Sequence, residues 1–377
     1  MKIGILKEPE NESRVALLPE AVEEIIQKMK AEVVIEEGAG KATFSDDAAY
    51  KEAGAEVLTR RELFSKADLV LGIRNPAEKE MEGLQSGQVL LTMLQPLSNQ
   101  NLVEKLRDSN KTTFSMDSIP RITRAQSMDV LSSQATVAGY RAVLDAARTL
   151  PRFFPLFMTA AGTIKPAKVL ILGAGVAGLQ AIATARRLGA VVEAFDVRSA
   201  VKEEVESLGG KFIEVEGAKE DESAGGYAVE QSDDYKQKQR QLIHDHAAKA
   251  DVVITTAQIP GKKAPVLLQE ETVKTMQPGS VIVDLAASSG GNCEVTKDGE
   301  TYQYDNKITI IGKTDYPSDM AIDASRMFGK NVINFLKLII DKEGNMNLNF
   351  EDEVVKGTCI THNGQLFNER VKSLIES

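Results

Sequence analysis

The sequence predicts an α/β protein built on two open, mostly parallel sheets, and three features carry that expectation. Short apolar runs alternate with amphipathic segments through roughly the first 120 residues, the pattern of strands joined by crossover helices. The apolar run Val169 to Leu172 is followed by the turn Gly173-Ala174-Gly175-Val176-Ala177-Gly178 and an alanine-rich helix. A second apolar run then ends in an acid, Asp196, and the alternation resumes.

Taken in order, Lys2 to Leu6 reads as the first strand. The next segment, Pro19 to Lys30, reads as a helix with Val22, Ile25, Ile26 and Met29 on one face. Val33 to Ile35, Glu56 to Leu58, Asp68 to Ile73, Gln88 to Leu94 and Thr112 to Ser115 are further strands, with helices at Asp46 to Ala53, Arg61 to Lys66 and Asn99 to Arg107. This first half has no glycine fingerprint. Pro120 to Gln134 is polar, holding Arg121, Arg124, Gln126, Ser127, Asp129 and Ser132 ahead of a helix expected over Thr136 to Thr149. By spacing alone it is either a connector with solvated arginines or a loop presenting guanidinium, amide and carboxylate groups to a ligand.

The second half opens on the fingerprint. Gly173 is expected to make the sharp turn, Gly175 to let the backbone approach a pyrophosphate, and Gly178 to let the helix pack on the strand. The N–H groups at the helix start then face the phosphates. Asp196 stands 23 residues beyond Gly173, where a carboxylate accepts from an adenosine ribose, so NAD(H) is expected over NADP(H). The expected dinucleotide set is Gly173, Ala174, Gly175, Val176 and Gly178, with Asp196, Val197 and Arg198. The fold is thus read as two Rossmann-like domains separated by a nucleotide-binding cleft. Residues 1–127 plus 317–377 would form one domain and 128–316 the NAD(H)-binding one.

After this come a charged stretch, Glu216 to Gln241, with Tyr227 beside Gly225 and Gly226, and strands at Asp251 to Thr255, Val281 to Leu285 and Ile308 to Ile311. Ser288 to Gly291 lies just past the second of these strands, where sheets of this kind meet ligands. The helix Met320 to Ile340 has the length of an interdomain crossing, and the C-terminal residues go with the first domain.

The bulk properties exclude several functions. A net charge of −10 without a basic stripe argues against nucleic acid or anionic lipid as a direct partner. Two cysteines, no C-x-x-C spacing and three histidines argue against a metal site or a disulfide framework. MKIGILKEPE lacks the order of a signal peptide, and no apolar run has the length of a membrane span, so a cytoplasmic location is expected. His244, His246 and His362 all fall away from strand ends, which leaves proton-transfer chemistry poorly furnished.

Long blocks carry a resemblance: KIGILKEPENESRVALLPE, PRITRAQSMDVLSSQATVAGYRAV, FMTAAGTIKPAKVLILGAGVAGLQAIATARRLGAVVEAFDVR, ESLGGKF, ESAGGYA and TTAQIPGKKAPVL. Over nearly its full length the chain resembles the NAD(H)-binding component, domain I, of proton-translocating nicotinamide nucleotide transhydrogenases, relatives of alanine dehydrogenase. The resemblance implies Re/Si-specific hydride transfer from NADH to NADP+ coupled to proton movement. It implies NADP(H) on a partner domain III, a membrane-spanning domain II, a homodimer, and a peripheral place on the cytoplasmic face of the inner membrane through partner subunits. It puts Arg121, Gln126, Asp129 and Ser132 on the nucleotide, with Gln126, Arg121 and Asp129 positioning the nicotinamide, and makes Tyr227 the tip of a lid.

The sibling dehydrogenase pattern is broken. The arginine that alanine dehydrogenases carry after the first strand is kept as Arg14. Their lysine, histidine and aspartate positions read Arg74, Gln95 and Ser288 here, so the groups that move protons in reductive amination are missing. An amino-acid dehydrogenase and a non-catalytic NAD(H)-binding protein stand as the alternatives.

Overall fold

Burial on both faces decides the order of the first sheet. Leu69–Leu71 and Val89–Thr92 are buried at every position, as central parallel strands covered by helices must be. From one edge the strands run Glu56–Leu58, Glu32–Glu36, Lys2–Ile5, Leu69–Leu71, Val89–Thr92 and Thr112–Ser115, all parallel, an order of 3-2-1-4-5-6. Cys359–His362 and Gln365–Leu366 then add antiparallel beyond the sixth strand.

The computed structural model describes residues 1–215 and 232–376, so Tyr227, with Gly225 and Gly226, lies outside the described residues. The chain divides into two units, Met1–Gln134 with Pro317–Ser377, and Ala135–Tyr316. The expected break at 127/128 sits seven residues earlier than this division. The reason is local: Gln134 is buried in the first unit, accepting from Arg14 Nη1 at 2.8 Å and donating to the Ala324 carbonyl at 3.1 Å.

Helix Ala321–Ile339 also differs from expectation. It does not cross between units but lies wholly in the first, where Phe328, Val332, Phe335, Leu336 and Ile339 share one core with Ile3, Ile5, Leu69, Leu71 and Phe114. The Phe114 and Phe335 rings meet with centroids 5.7 Å apart. Length alone made it look like a bridge; its apolar stripe is matched to the sheet beneath it.

The second unit repeats the plan. Lys211–Ile213, Val191–Phe195, Lys168–Leu172, Val252–Thr255, Val281–Asp284 and Ile308–Ile311 are parallel and again ordered 3-2-1-4-5-6, with Thr301–Tyr304 antiparallel at the far edge. A separate antiparallel hairpin, unexpected from the sequence, is formed by Phe157–Thr159 and Gly162–Ile164 and is exposed at all six positions. Phe153, Leu156 and Met158 beside or within it are 51%, 53% and 76% exposed.

In the first unit, a buried ion cluster ties the chain after the first strand to its surroundings. Arg14 Nε and Nη2 donate to Glu12 at 2.7 and 2.6 Å, and Arg74 Nε donates to the same carboxylate at 2.9 Å. Burial would raise the Glu12 carboxyl, but the Arg14 guanidinium outweighs it and, with Arg74, brings it from 4.5 down to about 2. Glu8 moves the other way: burial pushes it from 4.5 up to about 7, against the N–H groups of Ile73 and Arg74.

The effect on stability has opposite signs at the two carboxyls. Between pH 4.5 and 2 the unfolded chain binds more protons at Glu12 than the folded chain does, so that contribution is complete above pH 4.5 and lost as pH falls through 2. Glu8's contribution is complete below pH 4.5 and lost as pH rises through about 7. Glu12→Gln, which leaves two guanidinium groups without their shared anion, is expected to cost about 3 kcal/mol at neutral pH. Chemical unfolding at a series of pH values checks it: the deficit shrinks as pH falls from 4.5 toward 2, and a deficit flat across that window contradicts the assignment.

Candidate functional site

The glycine turn of the second unit is shaped by contacts that a side chain would fill. Gly173 has φ +104°, and a Cβ there would stand 2.6 Å from Thr256 Oγ1. A Cβ on Gly178 would stand 1.9 Å from the Gly173 carbonyl oxygen, so helix Val176–Arg187 starts in backbone contact with the turn. Gly175 differs from both. Nothing lies within 4 Å of the Cβ position there, which leaves room in front of the helix start for a group as large as a phosphate. Val176, the first helical residue, is exposed beside it, and Ala174 is buried behind.

Asp196 ends the second strand against this turn. Its Oδ2 accepts from the Ala174 N–H at 2.7 Å and from Arg198 Nη2 at 2.8 Å. Its Oδ1 accepts from the Arg198 N–H and Nε, both at 2.9 Å. Hydrogen bonding to Asp196 drives the Arg198 guanidinium above its ordinary range. Val197 between them is half-buried.

The fourth and fifth strands end in a polar knot that sequence reasoning missed. Asp284, fully buried, accepts from Thr255 Oγ1 at 2.9 Å, from the Ala286 N–H at 3.0 Å, and from the N–H groups of Asn292 and Cys293 at 2.8 and 3.0 Å. Asn292, also fully buried, accepts from the Ala257 N–H at 2.9 Å and donates to the Ala257 and Pro265 carbonyls, each at 2.8 Å. Thr256 Oγ1 completes the path by donating to the Gly173 carbonyl at 2.9 Å. The loops at the carboxyl ends of these two strands, where the second half of a dinucleotide binds in this topology, are thereby fixed to each other and to the glycine turn. An aspartate closing the apolar strand VIVD was the signal available in the sequence.

In the first unit, Arg121, Gln126, Asp129 and Ser132 come together around one depression of about 450 Å3, with Pro120, Ile122, Thr123 and Ala125 completing its lining. The segment is not a loose connector. Thr123–Met128 forms a 3-10 helix whose Ser127 carbonyl accepts from Asn331 and Asn334, while Arg124 holds Asp352 with two 2.8 Å bonds. Asp129 accepts from the Ser132 N–H at 2.9 Å and its hydroxyl at 2.6 Å, the work of an N-cap, and helix Val130–Thr149 therefore begins six residues before the expected Thr136. Arg121 and Gln126 are exposed at the rim.

Proton-transfer groups are sited elsewhere. His244 meets Thr272 at 3.0 Å, His246 meets Glu193 at 2.6 Å and His362 meets Thr112 at 3.0 Å. Gln95 and Ser288 are exposed, Gln95 at φ +50°, and Arg14 has three donors directed at Glu12 and Gln134. Among the described residues no group of His, Cys, Asp and Glu side chains is arranged to hold a metal ion. Cys293 is buried, its thiol pushed up to about 11 by desolvation.

Comparison with known proteins matches residues 4–138 to the alanine dehydrogenase/PNT N-terminal domain and residues 142–369 to the alanine dehydrogenase/PNT C-terminal domain. An NAD(P) transhydrogenase alpha-subunit chain from Rhodospirillum rubrum is 48% identical over 377 residues, covering 97% of each chain. The NAD(P) transhydrogenase alpha subunit of Haemophilus influenzae is 44% identical, covering 97% of this chain and 71% of its own. Among solved structures, a transhydrogenase from Sinorhizobium meliloti superposes with a TM-score of 0.88 at 44% identity, covering 97% of this chain and 100% of that one.

The Gly173–Gly178 contact yields a direct test of the site's construction. Gly178→Ala forces the turn or the helix to move and is expected to cost about 2 kcal/mol, read as a lower midpoint in thermal unfolding. Gly175→Ala, whose Cβ enters open space, leaves the midpoint within the error of the measurement.

Proposed function

This chain belongs to the alanine dehydrogenase/PNT family, and on that premise we propose that it is the NAD(H)-binding subunit of a proton-translocating transhydrogenase, passing hydride from NADH to NADP+ held by a separate domain III. One observation supports the reading: the glycine turn leaves open space at its helix start with Asp196 fixed beside it, while each of the three histidines is paired with another side chain. Hydride exchanged between two nicotinamide rings makes and breaks no O–H or N–H bond at the reacting carbons. The protein then has to supply alignment and exclusion of water, not a general acid or base.

The residues divide the work. The helix start at Gly175 and Val176 takes the pyrophosphate, and Asp196 takes the adenosine ribose. Arg121, Gln126 and Asp129 position the nicotinamide half, Gln126 through an exposed amide that is free of any backbone duty such as Asp129 has at its helix cap. The buried Asp284–Asn292 knot keeps the neighbouring loops from shifting as nucleotides exchange. Arg14, the one position kept from the dehydrogenase pattern, has its guanidinium buried on Glu12 and Gln134.

Partners belong to the same reading. Proton movement is assigned to membrane-spanning domain II subunits, with this chain peripheral on the cytoplasmic face; among the described residues no helix is long and apolar enough to cross a membrane. The chain is proposed to work as a homodimer, for which the exposed apolar hairpin Phe157–Thr159 with Gly162–Ile164 is a suitable seat for a second copy.

Two measurements test this reading. With a domain III supplied, Gln126→Asn is expected to slow hydride transfer by roughly 10- to 100-fold while the NADH dissociation constant stays within about twofold; equal losses in both remove the alignment role. Replacing Leu156 and Met158 together by glutamate is expected to shift the sedimenting species from dimer to monomer without lowering the thermal midpoint, and an unchanged dimer places the interface elsewhere.

A further inference from the structure

The 3-10 helix Thr123–Met128 is longer than the three or four residues at which such turns ordinarily stop, so its shape depends on what holds it from outside. Side chains three apart stand above one another in this geometry, and Ala125 and Met128 use that spacing to enter the same core as Phe328 and Val332. Gln126, between them in sequence, is left exposed. Two anchors flank it. Arg124 donates twice to Asp352, and the Ser127 carbonyl accepts from Nδ2 of Asn331 at 2.8 Å and of Asn334 at 3.1 Å. The Arg124 side chain is 47% exposed, so water competes for its ion pair. Asn331 is 8% exposed and meets no such competition.

This second anchor is kept against local preference. Asn331 lies within the buried stripe of helix Ala321–Ile339, next to Val332 and Ile333. Asparagine is a poor helix former, and the Oδ1 atom of Asn331 is buried with no hydrogen-bond partner among the described residues. A leucine of similar shape would avoid both penalties. What the amide alone supplies is Nδ2, a donor fixed from inside the core on the carbonyl one residue after Gln126.

We propose that Asn331 is a positioning residue for hydride transfer: by holding the Ser127 carbonyl, it sets the direction of the Gln126 amide. The inference rests on the reading that Gln126 aligns the nicotinamide. Without Asn331 the turn keeps its exposed Arg124 anchor and the outer Asn334 bond, and it rotates about them. A small rotation of the backbone swings the end of a long side chain further than the backbone itself moves. Transfer between two rings is sensitive to displacements of that size. Nucleotide affinity, spread over the glycine turn, Asp196 and the rim of the first-unit depression, is not. The loss therefore falls on rate and spares binding.

The test is a double-mutant cycle in the full chain, with a domain III and NADP+ supplied. Single-turnover transfer, the NADH dissociation constant and the thermal midpoint are measured for wild type, Asn331→Leu, Gln126→Asn and the double variant. Asn331→Leu is expected to slow transfer roughly tenfold with the NADH dissociation constant within about twofold of wild type. Its thermal midpoint holds, because leucine removes the unpaired oxygen along with the donor. The double variant is slower than Gln126→Asn by no more than about twofold, since the two residues act through one amide. If leucine at 331 does not fold, Asn334→Ala, which strips the outer donor, carries the test. It is expected to slow transfer roughly threefold, again only where Gln126 is present, and no slowing overturns the proposal. Losses that multiply in the double variant overturn it, as does a lower midpoint or weaker NADH binding that accounts for the slower transfer. A slow Gln126→Asn beside a fast Asn331→Leu overturns the proposal and leaves the proposed function standing. A wild type that binds NADH yet passes no hydride to NADP+ removes both.

Discussion

One carbonyl oxygen, that of Gly173, organises the nucleotide half of the molecule. It lies where a side chain at residue 178 would begin, so the helix after the first strand of the second sheet can start only against bare backbone. The same oxygen accepts from Thr256 at the end of the fourth strand. Turn, helix start and fourth-strand loop are thereby fixed relative to one another by a single atom. The cradle is rigid because its parts share contacts, and it has open space only at Gly175, in front of the helix N–H groups.

The first unit has the same strand order and none of that chemistry. Where its first and fourth strands end, the Glu8 carboxylate accepts from the N–H groups of Ile73 and Arg74 at 2.6 and 2.9 Å. In place of a glycine turn with open space in front of it, the chain supplies a carboxyl group of its own. Around it Lys7, Glu36, Arg60 and Arg74 line a depression of about 210 Å3, with Arg60 already paired to Glu36 and Glu80. Two sheets of one topology thus end differently: one leaves open space at its glycine turn, and the other closes its strand ends with side chains. Topology alone does not assign function.

How much of this was readable in the sequence depends on whether the signal is local. Parallel strands such as VLLT and VVIT are buried throughout and apolar up to a final threonine because both faces are covered, so their positions could be read directly. The glycine turn was readable because two of its requirements are local: Gly173 has φ +104°, and Gly178 meets the carbonyl of Gly173 in the same turn. Asp284 and Asn292 were not, since their importance comes from partners at Thr255, Ala257 and Pro265, reached only through the fold. Asp129 was read for its charge and its neighbours, and its N-cap duty emerged only with the helix start at Val130. The hairpin at 157–164 gave no alternation to detect because both faces are exposed.

The proposed reaction needs alignment and no proton donor from this chain. Its most direct test is single-turnover transfer from NADH carrying deuterium at the reacting carbon, run in ordinary water with domain III and NADP+ present. The deuterium is expected to arrive undiluted on NADPH, with no solvent hydrogen incorporated and a rate unchanged in heavy water. Solvent hydrogen in the product, or a large solvent isotope effect on the transfer step, would contradict a transfer that runs from ring to ring.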